Sequence, residues 1–119
     1  MKGKKVLLLV ESPEQSMERA FATMKTRSNK YKGLVIISFP DFETLGRVIT
    51  GARIELLHAI RIHKPKSIQD LAKIVERNFK NVYQDVKLLH EFGLIELKEG
   101  GLKKASVPKS LYSEFVLAA

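Results

Sequence analysis

Apolar residues form two short blocks in the first third of the chain. Val6–Val10 contains only valine and leucine, and Leu34–Phe39 is similar in length and character, so each block predicts a buried strand. Between the blocks, Ser12 and Gln15 have the spacing of a capping box, and the apolar stripe over Met17–Met24 predicts a helix. Two strands separated by one helix fit a parallel crossover or pairing with other strands, and the pattern leaves both open.

Helical periodicity dominates from Asp41, which predicts the cap of a short helix. Longer helices are predicted over Thr50–His63, from the capping residue Ser67, and over Phe79–Phe92. A tight turn at Glu76–Asn78 precedes the last of them and has to form without a left-handed glycine, or with modest strain. The residues expected to face inward on the first and last of these longer helices are Ile54, Leu57, Ile60, Val82, Val86, Leu89 and Phe92.

The end of the chain has the pattern of strands. Leu94–Lys98 and Leu102–Val107 are strand-like runs on either side of Gly100–Gly101, which is a typical two-residue hairpin turn. Leu111–Leu117 is apolar as well, but its periodicity does not decide between helix and strand.

The composition is that of one globular domain with a short extension. Of the 119 residues, 45% are hydrophobic and 29% are charged, which argues against a disordered or fibrous chain. Cysteine is absent, which excludes disulfides and thiolate metal sites. The 21 basic and 13 acidic residues give a net charge of +8, which favours an anionic partner. Val6–Val10 is far shorter than the roughly 20 residues that span a bilayer, so we expect no membrane partner and a cytoplasmic location.

The order of predicted elements, two helices, a tight turn, a third helix and a glycine-tipped hairpin, is that of a winged helix-turn-helix. Within it, the run from Leu71 to Glu96, which ends in E-F-G-L-I-E, resembles the MarR/ArsR-type winged-helix signature. The chain more closely resembles a group of small predicted transcriptional regulators of archaea and bacteria that carry a β/α extension. The residues that carry this resemblance are T-G-A-R-I-E-L-L-H-A-I at Thr50–Ile60, S-I-Q-D-L-A at Ser67–Ala72 and N-V-Y-Q-D-V-K-L-L-H-E-F-G-L-I at Asn81–Ile95. This resemblance implies an α+β fold with an extension over residues 1–50, a winged helix-turn-helix over 51–107, and a C-terminal segment over 108–119 that packs on the core.

The resemblance also implies sequence-specific binding of double-stranded DNA by a transcriptional regulator, with an antitoxin-like autorepressor as a narrower form. In such a protein the third helix lies in the major groove. Asparagine and glutamine can bond adenine there, lysine can reach guanine or phosphate, and aromatic rings can contact thymine methyl groups. The residues expected to contact DNA from this recognition helix are Asn78, Phe79, Lys80, Asn81, Tyr83, Gln84 and Lys87.

Other basic or small polar residues are placed to contact phosphates. Around the turn and the start of the second helix these are Lys66, Ser67 and Arg77, and Ser67 is equally explained as a helix cap. On the wing they are Lys98, Lys103 and Lys104, where lysine can lie along the backbone or enter the minor groove.

Two aromatic residues on the same face keep a second class of function open. Phe79 and Tyr83 stand where small polar residues are common in related proteins. A winged-helix module that binds another protein, without sequence-specific DNA binding, is therefore the alternative.

The sequence does not predict an enzyme, a cofactor or a metal site. His58, His63 and His90 lack the spacing of metal ligands and have no cysteine beside them. Glu11 and Glu14 fit the charges preferred at a helix start better than a catalytic carboxylate pair.

The extension over residues 1–50 is expected to form a dimer. Its apolar strands and amphipathic helix fit an interface between copies, and a winged helix usually binds a two-fold symmetric operator. We therefore predict a homodimer. The operator, the direction of regulation and any small-molecule or protein effector are not specified by the sequence.

Overall fold

The computed structural model describes residues 4–26, 34–98 and 106–118, and their fold is α+β. The chain divides into two compact units, Met1–Arg47 with Tyr112–Ala119, and Val48–Leu111. The described elements, in chain order, are β1 (Lys4–Val10), α1 (Pro13–Thr26), β2 (Leu34–Phe39), α2 (Phe42–Val48), α3 (Gly51–His63), α4 (Ile68–Ile74), α5 (Phe79–Glu91), β3 (Ile95–Lys98), β4 (Val107–Ser110) and β5 (Tyr112–Ala118).

The first unit contains a parallel sheet with strand order β2-β1-β5 among the described residues. The pairing that the sequence left open is thus a parallel crossover, with Val6 opposite Val35. Helix α1 starts with the predicted capping box, in which the Gln15 N–H donates to Ser12 Oγ at 3.1 Å and the Ser12 N–H donates to Gln15 Oε1 at 2.8 Å. The central strand is the core of this unit, because Val6, Leu7 and Leu8 are all buried.

Strand β5 is the element that the periodicity of the sequence could not assign. It is parallel to β1, with Val6 opposite Phe115 and Leu8 opposite Leu117. The last strand of the chain therefore completes the sheet that the first strand begins. A parallel partner so distant in sequence leaves no turn signal, since the hydrogen bonds that define it form only in the folded chain.

In the described part of the second unit, helices α3, α4 and α5 are followed by an antiparallel pair of strands. Helices α3, α4 and α5 contact one another, β3 contacts α5, and β4 contacts α3. The core of this unit is made by buried side chains from all three helices and from the start of the strand pair: Leu56, Leu57, Ala59, Ile60, Ile68, Leu71, Ala72, Val82, Val86, Leu89, Leu94 and Ile95. Of the two inward stripes predicted from the sequence, that of α5 is confirmed at Val82, Val86 and Leu89.

The inward face of α3 differs from the prediction. Ile54 was expected to face inward with Leu57 and Ile60, but its exposed fraction is 52%. Arg53 takes the first place of the stripe instead, because its guanidinium pairs with Asp85 of α5. A one-residue step rotates a side chain by about 100° around a helix, so Ile54 points away from that face.

The strand pair also differs in register from the predicted hairpin. The second strand, predicted over Leu102–Val107, is observed at Val107–Ser110, and Lys98 lies opposite Val107. A two-residue turn at Gly100–Gly101 would instead have placed Lys98 opposite Lys103. Leu97 and the buried Pro108 are paired in the observed register, so packing has set the alignment. Gly100, Gly101 and residues 102–105 lie outside the described residues.

The apolar stripe of α1 lies on an exposed surface. Met17, Ala20 and Phe21 are exposed, and the Met24 side chain is outside the described part. None of the helices in residues 4–26, 34–98 and 106–118 is long and apolar enough to cross a membrane.

Candidate nucleic-acid interface

Helix α5 is held in a definite orientation by its first residue and by its buried side. Asn78 is the N-cap, as predicted, and its side-chain oxygen accepts a hydrogen bond from the Lys80 N–H at 2.8 Å. Val82, Val86 and Leu89 are each 0% exposed. Because side chains at these spacings share one side of a helix, the opposite side is turned outward as a consequence of the sequence.

The outward side of α5 carries the residue types predicted for a recognition helix. The residues exposed there are Phe79, Lys80, Asn81, Tyr83, Gln84 and Lys87. The first turn has no acidic residue. This surface, the α5 face, therefore combines two ammonium groups, two amides that both donate and accept hydrogen bonds, and two aromatic rings.

The two aromatic rings form a pair on the α5 face. Phe79 and Tyr83 have ring centroids 5.9 Å apart and an interplanar angle of 30°. Their exposed fractions are 49% and 44%, so about half of each side chain stays open to solvent. Phe79 thus contacts the following turn of its own helix and presents an apolar surface to solvent.

Asp85 lies beside the α5 face and joins three parts of the unit. Its Oδ1 accepts from Arg53 Nε of α3 at 3.1 Å, and its Oδ2 accepts from Arg77 Nη2 of the preceding turn at 2.9 Å. Arg53 also donates from Nη1 to the Val48 carbonyl at 3.2 Å. This Asp85 cluster is largely buried, with side-chain exposures of 14% for Asp85, 19% for Arg53 and 28% for Arg77. The carboxylate is therefore paired inside the fold.

Arg77, predicted to contact phosphate, thus has an intramolecular carboxylate as a partner. Sequence reasoning missed Asp85 and Arg53 as members of this arrangement. The signal was present in the position of Asp85, which lies between the buried Val82 and Val86 and so needs a cationic partner when it is partly enclosed.

The turn before α5 contains one residue with a left-handed backbone. Glu76 has a φ of +55° in place of the glycine often found in such turns. The Arg77 N–H donates to the Ala72 carbonyl at 3.0 Å, which closes the end of α4. The entry angle of α5 is therefore set by hydrogen bonds in the turn.

Ser67 acts as the cap of α4. The Asp70 N–H donates to Ser67 Oγ at 2.9 Å, and the Lys66 N–H donates to Asp70 Oδ2 at 3.0 Å. The backbone amide of Lys66 is thus occupied within the chain, while the Lys66 side chain is exposed.

The strand pair contributes basic residues to the same unit. Lys98 is exposed at the end of β3, and Lys109 is exposed on β4 opposite Glu96. Lys109 was not among the predicted residues; the alternation of buried Pro108 and exposed Lys109 follows only once the register is known. Lys103 and Lys104, predicted on the wing, lie outside the described residues.

The histidines do not assemble into a site. His58, His63 and His90 are all exposed, and His90 Nδ1 lies 3.3 Å from the Ile95 carbonyl oxygen. Within residues 4–26, 34–98 and 106–118, no group of three or more histidine or acidic side chains is arranged to hold a metal ion.

A separate buried charge occupies the first unit. Glu11, predicted as a helix-start charge, is buried after β1 and accepts from Arg19 Nη2 at 2.7 Å and from the Ser38 hydroxyl at 2.8 Å. The Arg19 hydrogen bonds hold the pKa of the Glu11 carboxyl below its usual value, although burial acts in the opposite direction and Ser38 adds to the lowering. This cluster joins β1, α1 and β2, so its role in the described unit is to hold these elements together.

A protein-family model named HVO_A0114 matches residues 48–116, which is more than half of the chain. The chain belongs to the HVO_A0114 family. The part that matches the HVO_A0114 model begins at Val48, the first residue of the second unit, and continues into β5. It includes the α5 face, the Asp85 cluster and both paired strands. No curated protein is similar enough to this HVO_A0114 chain to count as a match.

Proposed function

We propose that this chain is a winged helix-turn-helix protein of the MarR/ArsR type that binds double-stranded DNA sequence-specifically and regulates transcription. The observation that carries the proposal is the α5 face. Over the first three turns of α5, the exposed side chains are aromatic, amide or cationic, and the acidic residue of that stretch, Asp85, is paired with Arg53 and Arg77. Such a surface is matched to the anionic major groove.

The order of elements supports the same proposal. Helices α3, α4 and α5 contact one another and are followed by the antiparallel strands β3 and β4. In a winged helix-turn-helix, α4 and α5 would be the helix-turn-helix pair, and β3 with β4 would be the base of the wing. The left-handed turn at Glu76 would then set the angle between the two DNA-facing helices.

In the proposed complex, α5 lies in the major groove with Asn81 and Gln84 toward the base edges. Their amides can each bond an adenine with two hydrogen bonds. Lys80 and Lys87 contact phosphates or guanine, and Lys98 and Lys109 contact the backbone from the wing strands. Arg77 acts by positioning: with its guanidinium on Asp85, it supports α5 rather than a phosphate.

The regulator is proposed to act as a homodimer, because a two-fold protein matches a palindromic operator and doubles the number of phosphate contacts. The first unit is the proposed site of dimerisation. Its exposed apolar residues include Phe115, Val116 and Leu117 on β5.

The test begins by letting the full chain select DNA from its fragmented source genome, followed by sequencing of the retained fragments. Affinity for the selected duplex and for a random duplex is then measured with Asn81→Ala and Gln84→Ala. Each substitution is expected to weaken cognate binding by about 5- to 150-fold, corresponding to ~1 to 3 kcal/mol, and to leave random binding nearly unchanged. Neutral amides release no counterions, so they contribute to specificity and little to general affinity.

Gln69→Ala is the matched control, because it removes an exposed glutamine of α4 outside the α5 face. The ratio of cognate to random affinity should not change with this variant. An equal loss on both duplexes for Asn81→Ala and Gln84→Ala, or a failure of the wild-type chain to enrich any sequence, would contradict the proposal.

A second function is favoured by one specific observation, the stacked pair of Phe79 and Tyr83. A half-exposed aromatic pair is also a common anchor in protein interfaces. In that case the α5 face would bind a protein. The two functions separate by salt: affinity for DNA falls steeply between about 50 and 200 mM salt, whereas binding centred on an aromatic pair changes little.

A further inference from the structure

Strand β5 is an edge strand with the composition of a central strand. Within residues 4–26, 34–98 and 106–118, it pairs with β1 on one side, and no strand is hydrogen-bonded to its other side. It is seven residues long and contains neither proline nor lysine, the residues that usually protect an exposed edge. We expect such an unprotected strand edge to be covered by a binding partner in the folded protein.

The side chains of β5 are apolar on both faces of the sheet. Phe115 and Leu117 lie opposite Val6 and Leu8, and Val116 lies opposite Leu7 on the other face. The exposed fraction of the side chain is 36% for Phe115, 41% for Val116 and 60% for Leu117. Consecutive apolar residues are typical of strands covered on both faces inside a sheet, whereas edge strands usually alternate with polar residues.

The charge on β5 does not oppose self-association. Its single ionic side chain, Glu114, lies 3.6 Å from Lys5 Nζ of β1. When two copies of this edge pair, each Glu114 carboxylate therefore already has Lys5 of its own chain as an ion-pair partner. A two-fold axis perpendicular to the strands makes identical strands antiparallel, which is the more favourable pairing for strands joined edge to edge.

We propose that a second copy of this chain covers β5, so that β5 of each copy pairs antiparallel across a two-fold axis and the two sheets become one sheet of six strands. This inference rests on the homodimer in the proposed function and identifies its contact. It also joins the last strand of each chain to dimerisation, which had been assigned from the sequence to residues 1–50 alone.

The mass of the full chain in solution tests this contact without DNA. Sedimentation equilibrium should give a dimer of twice 13.5 kDa for the wild type. Leu117→Lys places a charge on the edge strand at the contact between the copies and should raise the dimer dissociation constant by at least about tenfold. Met17→Lys is the matched control on α1, whose exposed side chain is also apolar, and should leave the dissociation constant unchanged.

Cysteine substitution provides a second measurement that tolerates small changes in stability. The chain has no cysteine, so any disulfide between copies reports the introduced residue. Single cysteines at Ser113, Phe115, Val116 and Leu117 are oxidised in separate samples, with Met17→Cys as the control. The β5 position nearest the two-fold axis, where a residue faces its own copy, should cross-link efficiently, because cross-strand Cα atoms lie about 4.5 to 5.5 Å apart and disulfides need about 4.4 to 6.8 Å.

Three outcomes would overturn the contact. A wild-type chain that is still monomeric at a protein concentration of about 0.1 mM would contradict the proposed dimer. Cross-linking at Met17 and at no β5 position would place the interface on α1. A Leu117→Lys protein that stays folded by circular dichroism and keeps the wild-type dissociation constant would also exclude it. Because none of these measurements includes DNA, they leave the DNA-binding proposal to its own test.

Discussion

Glu76 occupies a left-handed backbone conformation that side chains with a Cβ atom seldom adopt. Its φ is +55°, its side chain is exposed, and its N–H donates to the Lys73 carbonyl at 3.2 Å. The left-handed region costs a residue with a Cβ about 1 to 2 kcal/mol, and glycine avoids this cost. Glycine would therefore be more stable than glutamate at position 76 of this turn.

Glu76→Gly is therefore expected to raise the free energy of unfolding by ~0.5 to 1 kcal/mol, the relief of strain less the chain entropy that glycine adds. Urea unfolding at neutral pH measures the change. Glu76→Ala is the control, because it removes the same carboxylate but keeps the strained φ, and it should bring no gain. Equal stabilisation by both variants would show that the charge, and not the backbone, is responsible.

Glu11 is a residue whose pKa links stability to pH. Arg19 and Ser38 hold its pKa below the ordinary value of 4.5, so the folded state binds a proton less readily than the unfolded state. The contribution of Glu11 to stability is therefore fully present above the pKa of the unfolded state, and it is lost as the pH falls through the lower pKa of the folded state.

Glu11→Gln should therefore cost about 2 to 4 kcal/mol at pH 7, as expected when one partner of a buried ion pair is removed. The difference from wild type should shrink as the pH is lowered below 4.5. Glu14→Gln is the control in the first turn of α1, where the side chain is exposed, and should have little effect. Urea titrations at several pH values measure both variants; a difference that is independent of pH would contradict this account.

At the scale of elements, α5 is held to α3 and to the turn by charge as well as by apolar packing. Asp85 pairs with Arg53 of α3 and with Arg77 of the turn, while Val82, Val86 and Leu89 are buried in the core. Hydrogen bonds from guanidinium groups to a carboxylate add a specific geometry to the apolar packing, so they help to define the direction of the helix. The α5 face therefore depends on residues that do not belong to it.

Asp85→Asn should lower the free energy of unfolding by ~1.5 to 3 kcal/mol, the usual contribution of hydrogen bonds to a charged group. Glu91→Gln is the control, since Glu91 is an exposed acidic residue of the same helix. Thermal or urea unfolding measures the effect in the absence of any ligand. A variant as stable as the wild type would mean that apolar packing alone positions α5.

The apolar stripes of the helices were predicted with unequal success, for a physical reason. The stripe of α5 agrees with the structure because its apolar residues have no competitor for the inward side. In α3, Arg53 displaces Ile54 from that side because a charge on another helix binds it. Periodicity reports which residues are apolar, but it does not report which polar residue will find a partner across the core.

At the scale of the whole molecule, chain order and spatial order differ. Strand β5, from the end of the chain, lies beside β1, from its start, so the first unit is built from two separated segments. The family match ends within β5 and so includes part of this sheet together with the second unit. If β5 also pairs with its copy, the same strand closes the sheet and joins two chains.

The sequence by itself determined the local structure. Capping residues Ser12, Thr50, Ser67 and Asn78 mark helix starts, because each accepts a hydrogen bond from a backbone N–H two or three residues away. The outward composition of α5 was also determined in this way, since a stripe of buried residues fixes the opposite side. Short-range hydrogen bonds and the 3.6-residue period act within one element, so they can be predicted without its neighbours.

Only the tertiary structure decided what depends on partners distant in the chain. These are the parallel pairing of β5 with β1, the register that places Lys98 opposite Val107, the burial of Glu11 against Arg19 and Ser38, and the Asp85 cluster. Each rests on a hydrogen bond or ion pair between separated elements, and its geometry exists only after the apolar surfaces have packed. A β-strand can pair with any edge of suitable length and a carboxylate with any nearby cation, so the packing of the core selects among them.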